Sequence, residues 1–167
     1  MLGRILVLLG ETSASLHARR FALQLAHEDR VLIVGEARMI SGIGANAVKR
    51  WLEEKLRQQA IDRRARLYVD MRRATREHDI PFESTEFEGD PIEAIVSAAE
   101  RCELIVTGHD TAFRGDMHGN LPAMLKRLLR NTPRPVIVYG NYAPQGQSIV
   151  AAHDGSLSAM RAIQAFS

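Results

Sequence analysis

One cysteine in 167 residues leaves no partner for an internal disulfide, so the core must hold by packing alone, and a reducing, cytoplasmic compartment is expected. No apolar run approaches the ~18 residues of a membrane span, and the apolar start, Met1 to Leu9, is too short for a secretory h-region plus cleavage site. No sign of charge dominates either: 22 basic residues against 20 acidic give a net +2 and a pI near 9.0. That balance supplies no uniform field to draw in nucleic acid or a membrane surface.

What is present is enough apolar residue, 46%, to bury one full core. Ile5 to Leu9, Val31 to Val34, Leu104 to Val106 and Val136 to Tyr139 are short apolar runs without polar alternation, as expected of strands buried on both faces of a parallel sheet. Phe82 to Phe87 is mixed and reads as a strand near an edge. Between the runs the period turns helical. Ser13 or Ser15 is placed to cap a helix with Leu16, Arg20, Leu23 and His27 on one stripe and Ala18, Ala22 and Ala26 on another. Ala45 to His78 carries Leu52, Leu56, Ala60, Leu67, Met71 and Ala74 on one face, as one long helix or two in line, ending ahead of Pro81. Asp90-Pro91 starts a third helix, and Leu121 to Asn131 is the fourth.

Strand, helix, strand, long helix, strand, helix, strand, helix, strand is the pattern of an α/β doubly wound five-stranded parallel sheet with helices on both faces, and the strand order expected is 3-2-1-4-5. A ligand then belongs beyond the carboxyl ends of the strands, at the switch point. The loops there are 10–15, 35–44 and 108–120.

Residues 1–142 account for this domain. A linker composition follows over 143–147, and a new apolar run begins at Ile149. Shifting the N-terminus forward by about one domain length lays Val7 on Val150, Glu11 on Asp154, Ser13 on Ser156, Ser15 on Ser158 and Ala22 on Ala165. Residues 148–167 are therefore expected to open a second, truncated copy, against the alternative of chance resemblance. A lone strand and helix cannot bury its own apolar face, so the tail either belongs to a tandem protein or packs on its own domain or a partner's.

The strand pattern, the Asp154-Gly155-Ser156 turn, the stretch Glu103 to Gly108, and the run Leu128-Leu-Arg-Asn-Thr-Pro-Arg-Pro-Val-Ile-Val138 together resemble the universal stress protein family, a Rossmann-like, adenine nucleotide alpha hydrolase-like fold. The resemblance implies an ATP site with an Asp after the first strand and a Gly-x-x-Gly-x9-Gly-Ser/Thr loop whose backbone amides wrap the phosphates. Glycine is needed there for close approach of the backbone. This chain departs from that pattern in each part. Glu11 replaces the Asp, Gly108 is followed three residues later by Thr111, and Pro122-Ala123 stand where Gly-Ser/Thr belongs. Proline has no amide hydrogen to give a phosphate, and alanine has no hydroxyl.

The expected remnant of a nucleotide site comprises Glu11, Gly35, Gly108, His109, Gly115, Gly119 and Asn120, with Asp154 in the second copy. No cofactor is expected in this domain, and ATP or another adenine nucleotide is assigned to the full tandem protein. The function implied is a stress-response binding and dimerisation module rather than an enzyme, with a nucleotide-binding hydrolase or nucleotidyl-transfer enzyme using the 108–120 loop as the alternative. Expected partners are a second copy or a second stress-protein domain and a small nucleotide, with Val136, Ile137, Val138 and Tyr139 as the interface.

Three other features have plain readings. His109, Asp110, Asp116 and His118 hold donors suited to zinc or another first-row ion, but a solvated polar loop accounts for them and no metal is expected. His109 or His118, helped by Arg114, Lys126 and Arg127, could act as acid or base on a phosphate, yet no activated nucleophile accompanies them. The arginines between Arg57 and Arg76 could track a nucleic-acid backbone, but Glu53, Glu54, Asp62 and Asp70 interleave with them as helical partners, so a solvated face is expected. Trp51 and Tyr68 read as core or interface.

Overall fold

In the computed structural model the described residues are 3–29, 32–36, 47–85, 91–110, 123–132 and 134–141, with Met160 and Gln164 as isolated helical positions. Nine elements alternate: β1 (Arg4–Leu8), α1 (Ser13–Asp29), β2 (Leu32–Glu36), α2 (Ala47–Glu77), β3 (Phe82–Thr85), α3 (Pro91–Ala99), β4 (Leu104–Gly108), α4 (Ala123–Asn131) and β5 (Val136–Tyr139). The strands stand in the order β3-β2-β1-β4-β5, and every pairing is parallel.

Successive side chains of a strand point to opposite faces, and β1 and β4 split between two cores accordingly. Ile5, Val7, Leu9, Leu104 and Val106 meet the α1 and α2 side, with Ala18, Ala22, Ala26, Leu67 and Met71. Leu6, Leu8 and Ile105 meet the α3 and α4 side, with Ile92, Ile95, Ala98, Ala99, Leu125 and Leu128. Burial of this kind contributes about 1.5–3 kcal/mol for each large aliphatic side chain, which is why β1 and β4 form the centre.

The face that α1 turns inward is the alanine stripe. Ala14, Ala18, Ala22 and Ala26 are all fully buried, whereas Leu16 is 37% exposed and Arg20 and His27 face solvent. The small side chains let the helix approach the sheet closely. The cap also differs from expectation: Thr12, not Ser13 or Ser15, takes the N-cap position, its Oγ1 accepting the Ser15 N–H at 3.1 Å while its carbonyl accepts the Leu16 N–H at 2.9 Å.

α2 is a single helix of 31 residues. At 1.5 Å per residue it is about 46 Å long, far longer than a strand of five residues, about 17 Å, and its buried core residues, Leu67 and Met71, lie in its second half. Its end is a Schellman motif: Ile80 N–H donates to Thr75 O and Asp79 N–H to Arg76 O, Asp79 takes a φ of 55°, and Ile80 is buried. Across the sheet, Arg134 donates to Ala99 O at 3.2 Å and Glu100 O at 2.8 Å. The last carbonyls of α3 are thereby satisfied by the residue that leads into β5.

Candidate functional site

Between β1 and β4 the chain reverses its winding, and the residues that follow these strands frame the switch-point crevice. Three contacts define it, each made by a residue at or just beyond the end of β1 or β4.

Gly108, the last residue of β4, lies directly beneath the start of α1. A Cβ placed on it would stand 2.5 Å from Ser15 N and 2.7 Å from Ala14 C, inside the distance that atoms tolerate. Glycine is therefore required here by helix-on-strand packing. The next residue is held as well, with His109 N–H donating to Tyr139 O at 2.8 Å.

Asp110 closes the second contact. Its Oδ1 accepts the Thr12 hydroxyl at 2.7 Å, and the same Thr12 Oγ1 lies 2.8 Å from Ser15 Oγ. The carboxylate thus reaches from the end of β4 to the cap of α1, where the helix dipole favours a negative charge. His109 Nδ1 is 3.8 Å from Asp110 Oδ1, too far for a hydrogen bond. It has no hydrogen-bond partner among the described residues and is shielded from solvent.

The third contact joins Glu11 to Arg63 of α2, Oε2 to Nε at 3.0 Å. Both side chains are nearly half exposed, and Arg63 Nε makes no aligned hydrogen bond, so the contact is ionic. Sequence reasoning assigned the α2 arginines to carboxylates on their own helix, as Arg73 and Asp70 are at 3.4 Å. Arg63 instead crosses to the residue standing where the resemblance implies an Asp. Further along, Tyr68 donates its hydroxyl to Thr85 O at 2.6 Å, fixing α2 against the end of β3.

Of the expected site residues, Glu11, Gly108 and His109 gather at this edge. Gly35, placed in a loop from the sequence, lies inside β2 and pairs with Val7 and Ser84. Gly115, Gly119, Asn120 and Asp154 lie outside the described residues, as do Asp116 and His118 of the considered metal set. Among the described residues no three His, Cys, Asp or Glu side chains converge on one point. The sequence offers Asp110 only as a metal-ligand candidate and Arg63 only as one of the α2 arginines, and it gives Thr12 no role; the one signal for their meeting is the hydroxyl-rich turn of residues 12–15 and the acidic residue after β4.

At the far edge of the sheet, Val136, Ile137, Val138 and Tyr139 form β5, which among the described residues pairs on one side only. All four are half-buried. Ile137 and Tyr139 pack toward the α1 face, with the Tyr139 ring 5.2 Å from that of Phe21, and burial raises the tyrosine pKa. Val136 and Val138 pack toward the α3 and α4 face. The apolar run reads as an interior strand, yet among the described residues it stands at an edge and pairs with β4 alone.

The universal stress protein family model matches residues 1–140. No curated protein matches the chain. Among solved structures, a universal stress protein from Lactobacillus plantarum is similar at 17% identity and a TM-score of 0.64, over 82% of this chain and 97% of that one. A universal stress protein family protein from Arabidopsis thaliana with AMP bound is 14% identical with a TM-score of 0.54, over 84% and 93%. The universal stress protein from Archaeoglobus fulgidus in complex with dAMP is 15% identical with a TM-score of 0.53, over 83% and 98%. At these identities the solved structures establish the fold.

Proposed function

The chain belongs to the universal stress protein family, and from that premise we propose that it is a stress-response module that acts by association rather than turnover, with a switch-point crevice that no longer holds ATP in the ordinary way. The observation that carries the reading is Gly108. Its lack of a Cβ is accounted for by α1, whose backbone comes within 2.5 Å of the Cβ position, so the glycine does not by itself signal a phosphate loop. Thr111, Pro122 and Ala123 remove further elements of that loop in the sequence. Family members from Arabidopsis and Archaeoglobus were solved with AMP and dAMP, which makes an adenine compound the ligand class to test.

The partner surface in this reading is β5. Its outer edge, unpaired among the described residues, and half-buried Val136 to Tyr139 suit strand pairing or face packing with a second copy or a second stress-protein domain. Residues 148–167 are read as the opening of a second copy, where Asp154 restores the acid after the strand and where ATP or another adenine nucleotide would bind. Among the described residues no helix is long and apolar enough to cross a membrane, and a single buried free thiol supports a cytoplasmic setting.

Incubation with ATP and magnesium tests association against turnover. Unconsumed nucleotide after prolonged incubation is the expected result. Release of ADP or AMP that disappears in His109→Ala or His118→Ala would make the chain an enzyme and overturn the reading.

A further inference from the structure

The positive charge of this chain is gathered on one helix. α2 carries ten basic and five acidic residues, whereas the whole chain has a net charge of only +2, so the rest of the molecule is net acidic. From Arg57 to Arg76, seven arginines stand against two carboxylates, Asp62 and Asp70. Asp62 accepts a 3.0 Å hydrogen bond from Gln58, Asp70 lies 3.4 Å from Arg73, and Arg63 crosses to Glu11. Among the described residues Arg66, Arg72 and Arg76 have no ion-pair partner. We infer that the outer face of α2 binds the phosphate backbone of duplex DNA, without regard to base sequence.

Arg66, Val69, Arg72, Arg73 and Arg76 recur at spacings of three and four, which places them along one side of the helix. Buried Leu67, Met71 and Thr75 occupy the other side, and all five outer residues are exposed. This half of α2 is held by its core contacts and closed by the turn at Asp79, so the fold sets the spacing of the guanidinium groups in advance of binding. Arg66 and Arg76 stand about 15 Å apart along the axis, and duplex DNA presents one charge for about every 1.7 Å of its own axis. Several phosphates therefore lie within reach of the face, and the planar fork of each arginine matches a phosphate's oxygens.

Other occupants fit this face less well. Single strands are held by stacking on aromatic rings, and the aromatic residue beside these arginines, Tyr68, is half-buried with its hydroxyl bound to Thr85 O at 2.6 Å. A lipid surface takes up an apolar helix face, and Val69 is the one large apolar side chain exposed on α2 among the described residues. A second copy laid face to face would set arginine against arginine, which repels. A duplex gains from its charge density, because each phosphate neutralised releases condensed counterions.

Titration of the full chain into a fluorescently labelled DNA duplex of mixed sequence, read by anisotropy, tests the inference over about 50 to 200 mM salt. A triple variant, Arg66→Gln with Arg72→Gln and Arg76→Gln, is compared with Arg20→Gln, Arg101→Gln and Arg130→Gln combined, which removes the same charge from exposed positions on other faces. Circular dichroism verifies that both fold. The wild type is expected to bind with a slope of log affinity on log salt of about −2 to −4. The α2 variant should lose at least about tenfold in affinity at the lowest salt and about 2–3 of that slope. The control variant should stay within about threefold of the wild type, since distant charges are screened. No binding of the duplex at the lowest salt, or an equal loss in the two variants, overturns the inference. So does tighter binding of a single strand of equal length, of polyglutamate or of phosphatidylserine vesicles than of the duplex.

Discussion

Ser15 and Gly108 meet backbone to backbone: the Ser15 nitrogen lies 2.5 Å from the place a Cβ on Gly108 would occupy. That contact joins the first turn of α1 to the end of β4 and sets how closely the helix lies on the sheet. Gly108→Ala must push the helix off the strand, because the obstructing atoms are backbone and cannot rotate away. A loss of about 1–3 kcal/mol is expected, measured by urea denaturation with an unchanged m-value. A neutral substitution would show that α1 moves freely at this point.

Glu11 and Arg63 form an ion pair whose side chains are 48% and 42% exposed. Solvent screens such pairs, and their stabilisation is about 0–1 kcal/mol. A double-mutant cycle with Glu11→Gln and Arg63→Met should therefore give a coupling energy under about 1 kcal/mol that fades with added salt. A coupling of several kcal/mol would mean that the pair is an anchor of α2 and not a solvent-screened surface contact.

Much of this architecture was legible in the sequence. Four apolar runs and one mixed run separated by helical periods point to the parallel α/β class, because strands buried on both faces leave no polar alternation. What escaped were choices the local pattern leaves open. Thr12, Ser13 and Ser15 are all competent caps, and the structure selects Thr12 through its additional bond to Asp110, which is distant in sequence. Gly35 carries a loop signal but sits in β2, a placement set by its neighbours in the sheet. The sequence offers two stripes on α1, one with Leu16 and Leu23 and one of alanines, and the close crossing at Gly108 admits the alanine face. Arg63 had nearer carboxylates on its own helix and pairs with Glu11 because both lie at the same edge of the sheet.

Cys102 is buried and donates to Ala98 O at 3.5 Å. Burial, with the adjacent Glu103 carboxylate adding to it, pushes the thiol from 9.0 up to about 11. The folded state therefore favours the neutral thiol. Its contribution to stability is complete below the unfolded value and is lost as pH rises from about 9 to about 11. Denaturation across that window should show falling stability in the wild type and a shallower slope in Cys102→Ala, and alkylation of the native protein at neutral pH should be slow. Rapid native alkylation would place the thiol outside the core.

β5 is the proposed subunit contact, and Val138 is its test position. Val138→Asp places a charge on a half-buried edge strand, which should shift a dimer toward monomer in sedimentation velocity. Because Val138 also packs on the core beside α3 and α4, the melting temperature of the variant must be followed in parallel. Val136→Lys, at the start of the same strand, serves as the second probe. Unchanged association in both folded variants would move the interface elsewhere.

The central claim is that this domain associates without holding ATP, and native mass spectrometry of the purified chain with and without ATP and magnesium tests it most directly. The account predicts a dimer whose mass does not change when nucleotide is added. A species carrying one ATP per chain would contradict it and show that the loop beyond Gly108 still binds triphosphate.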